Sequence, residues 1–392
     1  MSEWRDVKLD ELAEVKGGKR LPKGKLLTTA KTNHPYIRIT DFDGFKINLD
    51  NIQYVEDDVQ VSIARYIVNS GDIILSNVGT LGLVAVVPPE LDNANLTENC
   101  VKILLKKDEI NNKFLYYQLI SPDMQDLIVG LDVGSTQPKL PMYNIKNMDI
   151  SLPPLKEQKA IAEVLSSLDD KIDLLHRQNK TLEELAQTLF RQCFIEEEDT
   201  KSYLFEELVD SISVKHSFNK DKVIFLNTSD IYDGKVLHNE YSNVVGLPGQ
   251  AKKSIQKGDI LFTEIRPANK RFAYIDFEAD DYVVSTKLMV LRSKKLLDTS
   301  IIYLFLKLPS TLQYLQMLAE SRSGTFPQIT FEHLKSVEIF VPKDKKLLEK
   351  NTNIFKNIIT KTFTNHKTIK TIENMRDTLL PKLMSGEVRV KL

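Results

Sequence analysis

The sequence predicts an α+β protein in which two globular mixed α/β units are separated by two long antiparallel helices forming a coiled coil, with a pseudo-twofold internal repeat. Three observations predict it. First, the chain states one pattern twice. Gly134-Ser135-Thr136-Gln137-Pro138 leads to Pro153 and a long helical stretch, Ser323-Gly324-Thr325-Phe326-Pro327 leads likewise to Pro342, and the offset is 189 residues both times. Second, Ile161, Leu165, Leu168, Ile172, Leu175, Asn179, Leu182, Ala186, Leu189 and Cys193 follow alternating steps of four and three, which is a heptad seam. A shift of 190 gives a weaker seam in the same phase: Asn351, Phe355, Ile358, Thr362, Asn365, Ile369, Ile372, Arg376, Leu379 and Leu383. Third, residues 154–199 hold six Lys and Arg against eleven Asp and Glu, whereas residues 342–392 hold twelve against five, so the helices attract each other.

Taken in order, the repeat is marked at several points. Asp10-Glu11-Leu12 matches Glu206-Glu207-Leu208, and Thr40-Asp41 matches Ser229-Asp230. Gly71-Asp72-Ile73-Ile74-Leu75 matches Gly258-Asp259-Ile260-Leu261-Phe262, each a turn leading into a buried strand. Phe114–Leu119 and Ile301–Leu306 read as short helices. Between Leu12 and Asp41 the first copy has seven extra residues, and the basic run Lys16–Lys25 there, with three glycines and a proline, has the composition of a loop. From Ile161 to Cys193 the helix rises about 48 Å, and a seam that long needs a partner along its length. An antiparallel pairing is expected, with one globular unit at each end.

At 392 residues and 42 % hydrophobic content, the chain has enough length for two or three domains with cores. It has no run of eighteen apolar residues and no apolar segment after Met1, so neither a membrane span nor export is expected and the cytoplasm is the expected compartment. Cys100 and Cys193 are too few for a disulfide framework and are expected to pack as small apolar groups. The net charge of −1 leaves any nucleic-acid surface to local clusters.

Catalytic patterns fail one by one. Gly18 to Gly24-Lys25 is one residue too long for a phosphate loop and puts Leu26 where a hydroxyl is required. Pro88-Pro89 and Pro153-Pro154 lack the preceding Asn or Asp and the following aromatic of an amino-methyltransferase site. Glu157-Gln158-Lys159 has an acid-x-base form without a supporting acidic strand and reads as a solvated helix start. The six histidines show no ligand spacing, which leaves no metal site, and no Gly-x-Ser-x-Gly run is present. No enzyme centre is expected.

What remains is a set of polar and basic loops at equivalent places. The first copy offers Lys19, Arg20, Lys23, Lys25, Arg38, Ser76, Asn77, Thr80, Thr136, Gln137 and Lys139. The second offers Lys215, His216, Thr263, Glu264, Arg266, Asn269, Lys270, Arg271, Thr325 and Gln328. Lys and Arg neutralise phosphates, while Arg, Asn, Gln and Glu pair with base edges in the major groove. These residues are the expected DNA contacts.

The whole pattern resembles the specificity subunit of type I restriction-modification systems. The carriers are Trp4-Arg5-Asp6-Val7-Lys8-Leu9, the two Gly-Asp-Ile runs, Ser151-Leu152-Pro153-Pro154-Leu155-Lys156-Glu157-Gln158-Lys159-Ala160-Ile161, and the closing Leu379-Leu380-Pro381-Lys382-Leu383-Met384-Ser385-Gly386-Glu387-Val388. Pro342-Lys343-Asp344-Lys345-Lys346 departs from the Pro-Pro-Leu-x-Glu-Gln run. The resemblance implies two target recognition domains, residues 1–153 and 200–341, each reading half of a split double-stranded DNA site. Residues 154–199 and 342–392, the latter with a C-terminal tail, would be the spacer helices. It also implies partners: two modification subunits that hold S-adenosylmethionine and methylate adenine, and two restriction subunits with the ATP- and magnesium-dependent motor and nuclease. No cofactor is implied in this chain. Two other readings stay open: a coiled-coil scaffold without DNA, for which polar Thr362, Asn365 and Arg376 speak, and a nuclease or methyltransferase with an unfamiliar site.

Overall fold

The glycine of each Gly-Asp-Ile run takes a left-handed turn, Gly71 at φ +90° and Gly258 at φ +89°, a conformation that costs glycine little. The aspartate then accepts the amide three residues back, Asp72 from Asn69 and Asp259 from Gln256, which closes the turn. Strands Ile73–Ser76 and Ile260–Thr263 follow, buried throughout because apolar side chains face both sides. The computed structural model describes residues 4–321 and 327–391, and the chain divides into two units. Residues 1–173 with 370–392 form the first, and residues 174–369 the second.

Each unit builds the same sheets. In the first, Ala13–Gly17 pairs with Cys100–Leu105, which pairs with Ile73–Ser76, which pairs with Val84–Val86, all antiparallel. In the second, Val209–Ile212, Leu288–Ser293, Ile260–Thr263 and Phe272–Tyr274 repeat that order. A second sheet in each contains a parallel pair, Pro35–Ile37 with Ala94–Leu96 and Lys222–Leu226 with Tyr282–Ser285. Arg5–Lys8 with Asp149–Leu152 and Thr200–Leu204 with Glu338–Pro342 close the correspondence. The basic insert is strand as far as Gly17 and irregular from Gly18, so the expected loop begins two residues late; Lys16 sits on a ladder position opposite Lys102.

The short helices start on caps that the sequence supplies. Asn111 accepts the Phe114 amide ahead of Asn112–Ile120, and Asp298 accepts the Ser300 amide ahead of Thr299–Lys307. Pro122 and Pro309 then open the next helices, where a missing N–H leaves nothing unsatisfied.

The first long helix spans Leu155–Phe190 and the second Lys345–Met384. No seam residue of either is exposed: Leu168, Leu182, Leu189, Ile372 and Leu379 are half-buried, while Ile161, Leu165, Ile172, Leu175, Phe355, Ile358 and Ile369 are buried. In the first unit Asp169 accepts from Arg376 at 2.9 Å, and Glu157 accepts from Arg389 at 2.6 Å. In the second unit Asn365 donates to Asn179 at 2.8 Å, and Phe190 lies 6.1 Å from Phe355. Numbers rise along one helix as they fall along the other, so the helices pair antiparallel. Buried polar pairs such as Asn179 with Asn365 set register at some cost in stability.

Glu157 corrects one expectation. It is not solvated but 4 % exposed, because Arg389 returns to pair with it while lying over the Trp4 ring at 5.2 Å. Gln158 beside it donates to the Glu109 and Pro153 carbonyls and accepts the Asn111 amide, fixing the helix start to the domain. Asp344 caps the second long helix instead, accepting from Lys346 and Leu347. Cys100 packs in the first unit's core, where burial pushes its thiol up to about 12, and Cys193 is half-buried.

The second unit holds a titrating group beside its helix seam. His366 lines a cavity of about 50 Å³ with Phe190, Tyr303 and Phe363. Burial, with Lys235, Lys307 and His176 nearby, lowers its pKa to about 4, while Asp233 pulls the other way. The imidazole is therefore neutral in the fold but protonates near 6.5 in the unfolded chain. Its contribution to stability is full above pH 6.5 and is lost as pH falls towards 4. Melting followed from pH 7.5 to 4 is expected to decline through that window, and His366→Gln is expected to flatten the decline.

Candidate nucleic-acid interface

In each unit the turn after the buried strand is tied to a segment some sixty residues downstream. The first unit has Gly79 donating to the Pro138 carbonyl, Leu140 donating to the Asn77 carbonyl, and a bridge between Val78 and Lys139. The second has Arg266 donating to Pro327, Ile329 donating to Glu264, and a bridge between Ile265 and Gln328. A third strand end joins both. Asn77 donates to the Asn99 carbonyl, and Glu264 to that of Lys287. Three loops thus meet at one edge of each antiparallel sheet, on backbone bonds that do not depend on side-chain identity.

The basic insert joins the same edge in the first unit. Gly18 donates to Cys100 and Lys19 to Leu96, and a Cβ on Gly18 would stand 2.0 Å from the Thr97 carbonyl oxygen, so only glycine lets the backbone approach. Arg20 pairs with Glu98, Lys25 pairs with Asp58, and Lys19 lies over the Tyr66 ring. The Glu98 hydrogen bond holds the Arg20 guanidinium above its usual range, and Asp58 does the same for Lys25. Lys23 is exposed.

Side chains expected at the interface fall into two groups. Thr80, Thr136, Gln137 and Lys139 in the first unit, and Arg266, Asn269, Lys270 and Gln328 in the second, are exposed at the gathered loops, with Glu264 half-buried beside them. Others are used inside the fold. Ser76 donates to the Thr80 carbonyl and accepts from Leu83, Asn77 donates to Leu140, and Thr263 accepts the Ile265 amide. Arg38 is spent on buried Asp41, Gln53 and the Asn51 carbonyl. Arg271 donates to the Ser229 and Ile231 carbonyls and lies over Tyr232. Lys215 and His216 belong to the other sheet of the second unit, where His216 accepts the Phe218 amide. Thr325 lies outside the described residues.

Sequence reasoning missed Glu98, Asn99 and Lys287. Their signal was present, since Thr97-Glu98-Asn99 and Ser285-Thr286-Lys287 are matching polar triplets ahead of matching strands. Among the described residues no group of His, Cys, Asp and Glu could hold a metal ion, and no helix is long and apolar enough to cross a membrane.

Fold and loops define a duplicated architecture in which one backbone frame displays two different sets of polar side chains. Residues 1–184 and 202–374 both match the type I restriction modification DNA specificity domain. The chain belongs to that family and is a type I specificity subunit, a DNA-recognition component and not a catalyst. It is 42 % identical over 183 residues to the HindI specificity subunit of Haemophilus influenzae, a match spanning 46 % of this chain and 40 % of that one. It is 24 % identical to the MjaIX specificity subunit of Methanocaldococcus jannaschii over 99 % of this chain and 94 % of that one. In fold it is similar to the S subunit of a type I system from M. genitalium, with a TM-score of 0.68, 18 % identity, and coverage of 100 % and 97 %.

Proposed function

We propose that each mixed domain, residues 1–153 and 200–341, reads one half of a split DNA site. In this reading the long helices, residues 154–199 and 342–392, set the gap between the halves and dock the modification subunits. The observation that carries it is the repeated three-loop frame with unlike side chains: Asn77, Gly79, Thr80 and Lys139 stand in the first unit where Glu264, Arg266 and Gln328 stand in the second. A common frame positions both domains on the phosphates in the same way, while unlike side chains meet unlike bases. Half-sites about one duplex turn apart suit such a pair. Exposed Leu174, Leu185 and Met375 on the helices are apolar surface for two modification subunits, which would carry the S-adenosylmethionine. Two restriction subunits would complete an assembly that acts in the cytoplasm.

Replacing residues 200–341 with the equivalent segment of another family member tests this. The assembled complex is expected to change one half of its selected DNA sequence and keep the other. A change in both halves, or in neither, contradicts the reading.

The basic insert binds phosphates. Replacing Lys19, Arg20, Lys23 and Lys25 by alanine is expected to flatten the plot of log affinity against log salt by close to one unit for each phosphate left without its cation. Arg20 and Lys25 must exchange their carboxylate partners, Glu98 and Asp58, for phosphates on binding, so Lys19 and Lys23 alone are expected to account for about half the change. An unchanged slope removes the insert from the interface.

A further inference from the structure

The ladder that sets Thr263 opposite Leu288 brings Glu264 opposite Lys287 one step on, where the Glu264 amide donates to the Lys287 carbonyl at 3.1 Å. Residues opposite each other on antiparallel strands put their side chains on one face, with Cβ atoms about 5 Å apart. The first unit has the same step. Ser76 lies opposite Cys100, and the Asn77 amide donates to the Asn99 carbonyl at 2.8 Å. One position of the shared frame thus carries two neutral amides in the first unit and an acidic beside a basic side chain in the second.

Hydrogen bonds fix the backbone of the charged pair. The Glu264 carbonyl accepts the Ile329 amide, and the Lys287 amide donates to the Ser285 hydroxyl. The Lys253 ammonium donates to the carbonyls on either side of Lys287, Thr286 at 3.1 Å and Leu288 at 2.8 Å. Burial lowers the Lys253 pKa, and the Glu264 carboxylate opposes that shift. Lys287 is exposed and Glu264 half-buried. Among the described residues neither charged end takes a hydrogen bond or an ion pair, although the two stand side by side. A fixed backbone loses little freedom when it binds, which favours discrimination over adaptable contact.

An acid at a DNA-facing edge is informative because phosphates repel it. It is favourable only against a hydrogen-bond donor, and the base donors of the major groove are cytosine N4 and adenine N6. A G·C pair presents two adjacent acceptors, guanine N7 and O6, and then the cytosine N4 donor, which complements an ammonium beside a carboxylate. An A·T pair sets its donor between two acceptors, so an ammonium there meets one acceptor with a donor next to it.

We infer that Glu264 and Lys287 are specificity-determining residues of the second domain and together read one G·C base pair, Glu264 accepting from cytosine N4 and Lys287 donating to guanine O6 and N7. The inference rests on the proposal that this domain reads DNA. The first unit, with Asn99 at the place of Lys287 and the Asn77 side chain donating to the Leu140 carbonyl, sets no charge at this step and reads its half-site with other groups.

The test uses the full chain assembled with its modification subunit and selects binding sites from randomised duplexes. The unaltered complex is expected to require a G·C pair at one position of the second half-site. Lys287→Ala, at an exposed side chain, is expected to leave melting unchanged and to lower the preference for that pair by about five-fold or more. Lys287→Arg is expected to retain the preference, since a guanidinium also meets O6 and N7. Glu264→Gln is expected to admit adenine where cytosine was selected, because an amide that donates and accepts matches adenine N6 and N7. Residues that served only the fold would change stability and leave base preference alone. If Lys287→Ala and Glu264→Gln keep every preference of the second half-site, or if that half-site contains no G·C pair, the assignment is wrong while split-site reading stands. If the unaltered complex selects no second half-site, that reading falls and the assignment with it.

Discussion

A heptad added to both long helices is expected to widen the gap between the half-sites by up to about three base pairs. Seven residues add about 10.5 Å at the helical rise, and a duplex advances ~3.4 Å per base pair. The insertions belong after residues 173 and 369. Residue 173 lies between Asp169 and Asn179 on the first helix, and residue 369 lies between their partners Asn365 and Arg376 on the second. A heptad keeps the seam in phase, so the pairings on either side of the insertion survive. The same insertion in one helix alone shifts one seam past the other and is expected to lower stability instead of moving the gap. The readout is the spacing within sequences selected by the assembled complex.

Arg376→Ala is expected to cost the first unit about 2 to 3 kcal/mol, a little less than the loss of one partner from a fully buried pair because the guanidinium is part exposed. Asp169 accepts from Arg376 and from the Tyr117 hydroxyl, and its side chain is 14 % exposed. Burial works against charge on Arg376, but its hydrogen bonds to Asp169 and Asp377 hold it protonated. Burial and the bond to Asp169 together hold the Tyr117 hydroxyl above its usual range. Removing the arginine strands a carboxylate in an apolar seam. The second unit shows what the alternative looks like, with Leu304, Ile359 and Ala186 at the places of Tyr117, Asp169 and Arg376, all buried. Transplanting that set, as Tyr117→Leu with Asp169→Ile and Arg376→Ala, is expected to recover most of the loss, since an apolar junction of similar shape replaces a buried ion pair at little cost. Thermal melting of the single and triple variants separates the two outcomes.

Much of this architecture was legible because it repeats. The equal offsets between Pro138 and Pro327, and between Pro153 and Pro342, located the duplication, and the four-three steps from Ile161 located the seam, since both are patterns of spacing. Polar side chains were harder to place. Arg38 and Arg271 looked like contacts by composition, yet each is spent on the fold, because whether a guanidinium faces solvent depends on which carboxylates and carbonyls the tertiary structure brings near it. Glu157 was misread for the same reason, its partner Arg389 lying 232 residues away. Asn99 and Lys287 join the frame through backbone carbonyls, so side-chain chemistry does not point to that role, and only the place of their polar triplets ahead of matching strands does.

In the proposed reading, one duplicated frame meets two unlike half-sites across a gap set by the helices. Mapping methylated adenines in DNA from cells that carry this chain with its modification subunit tests it most directly. The expected motif is two different short blocks separated by a constant stretch of unspecified bases. One uninterrupted motif, or two blocks whose separation varies from site to site, contradicts it.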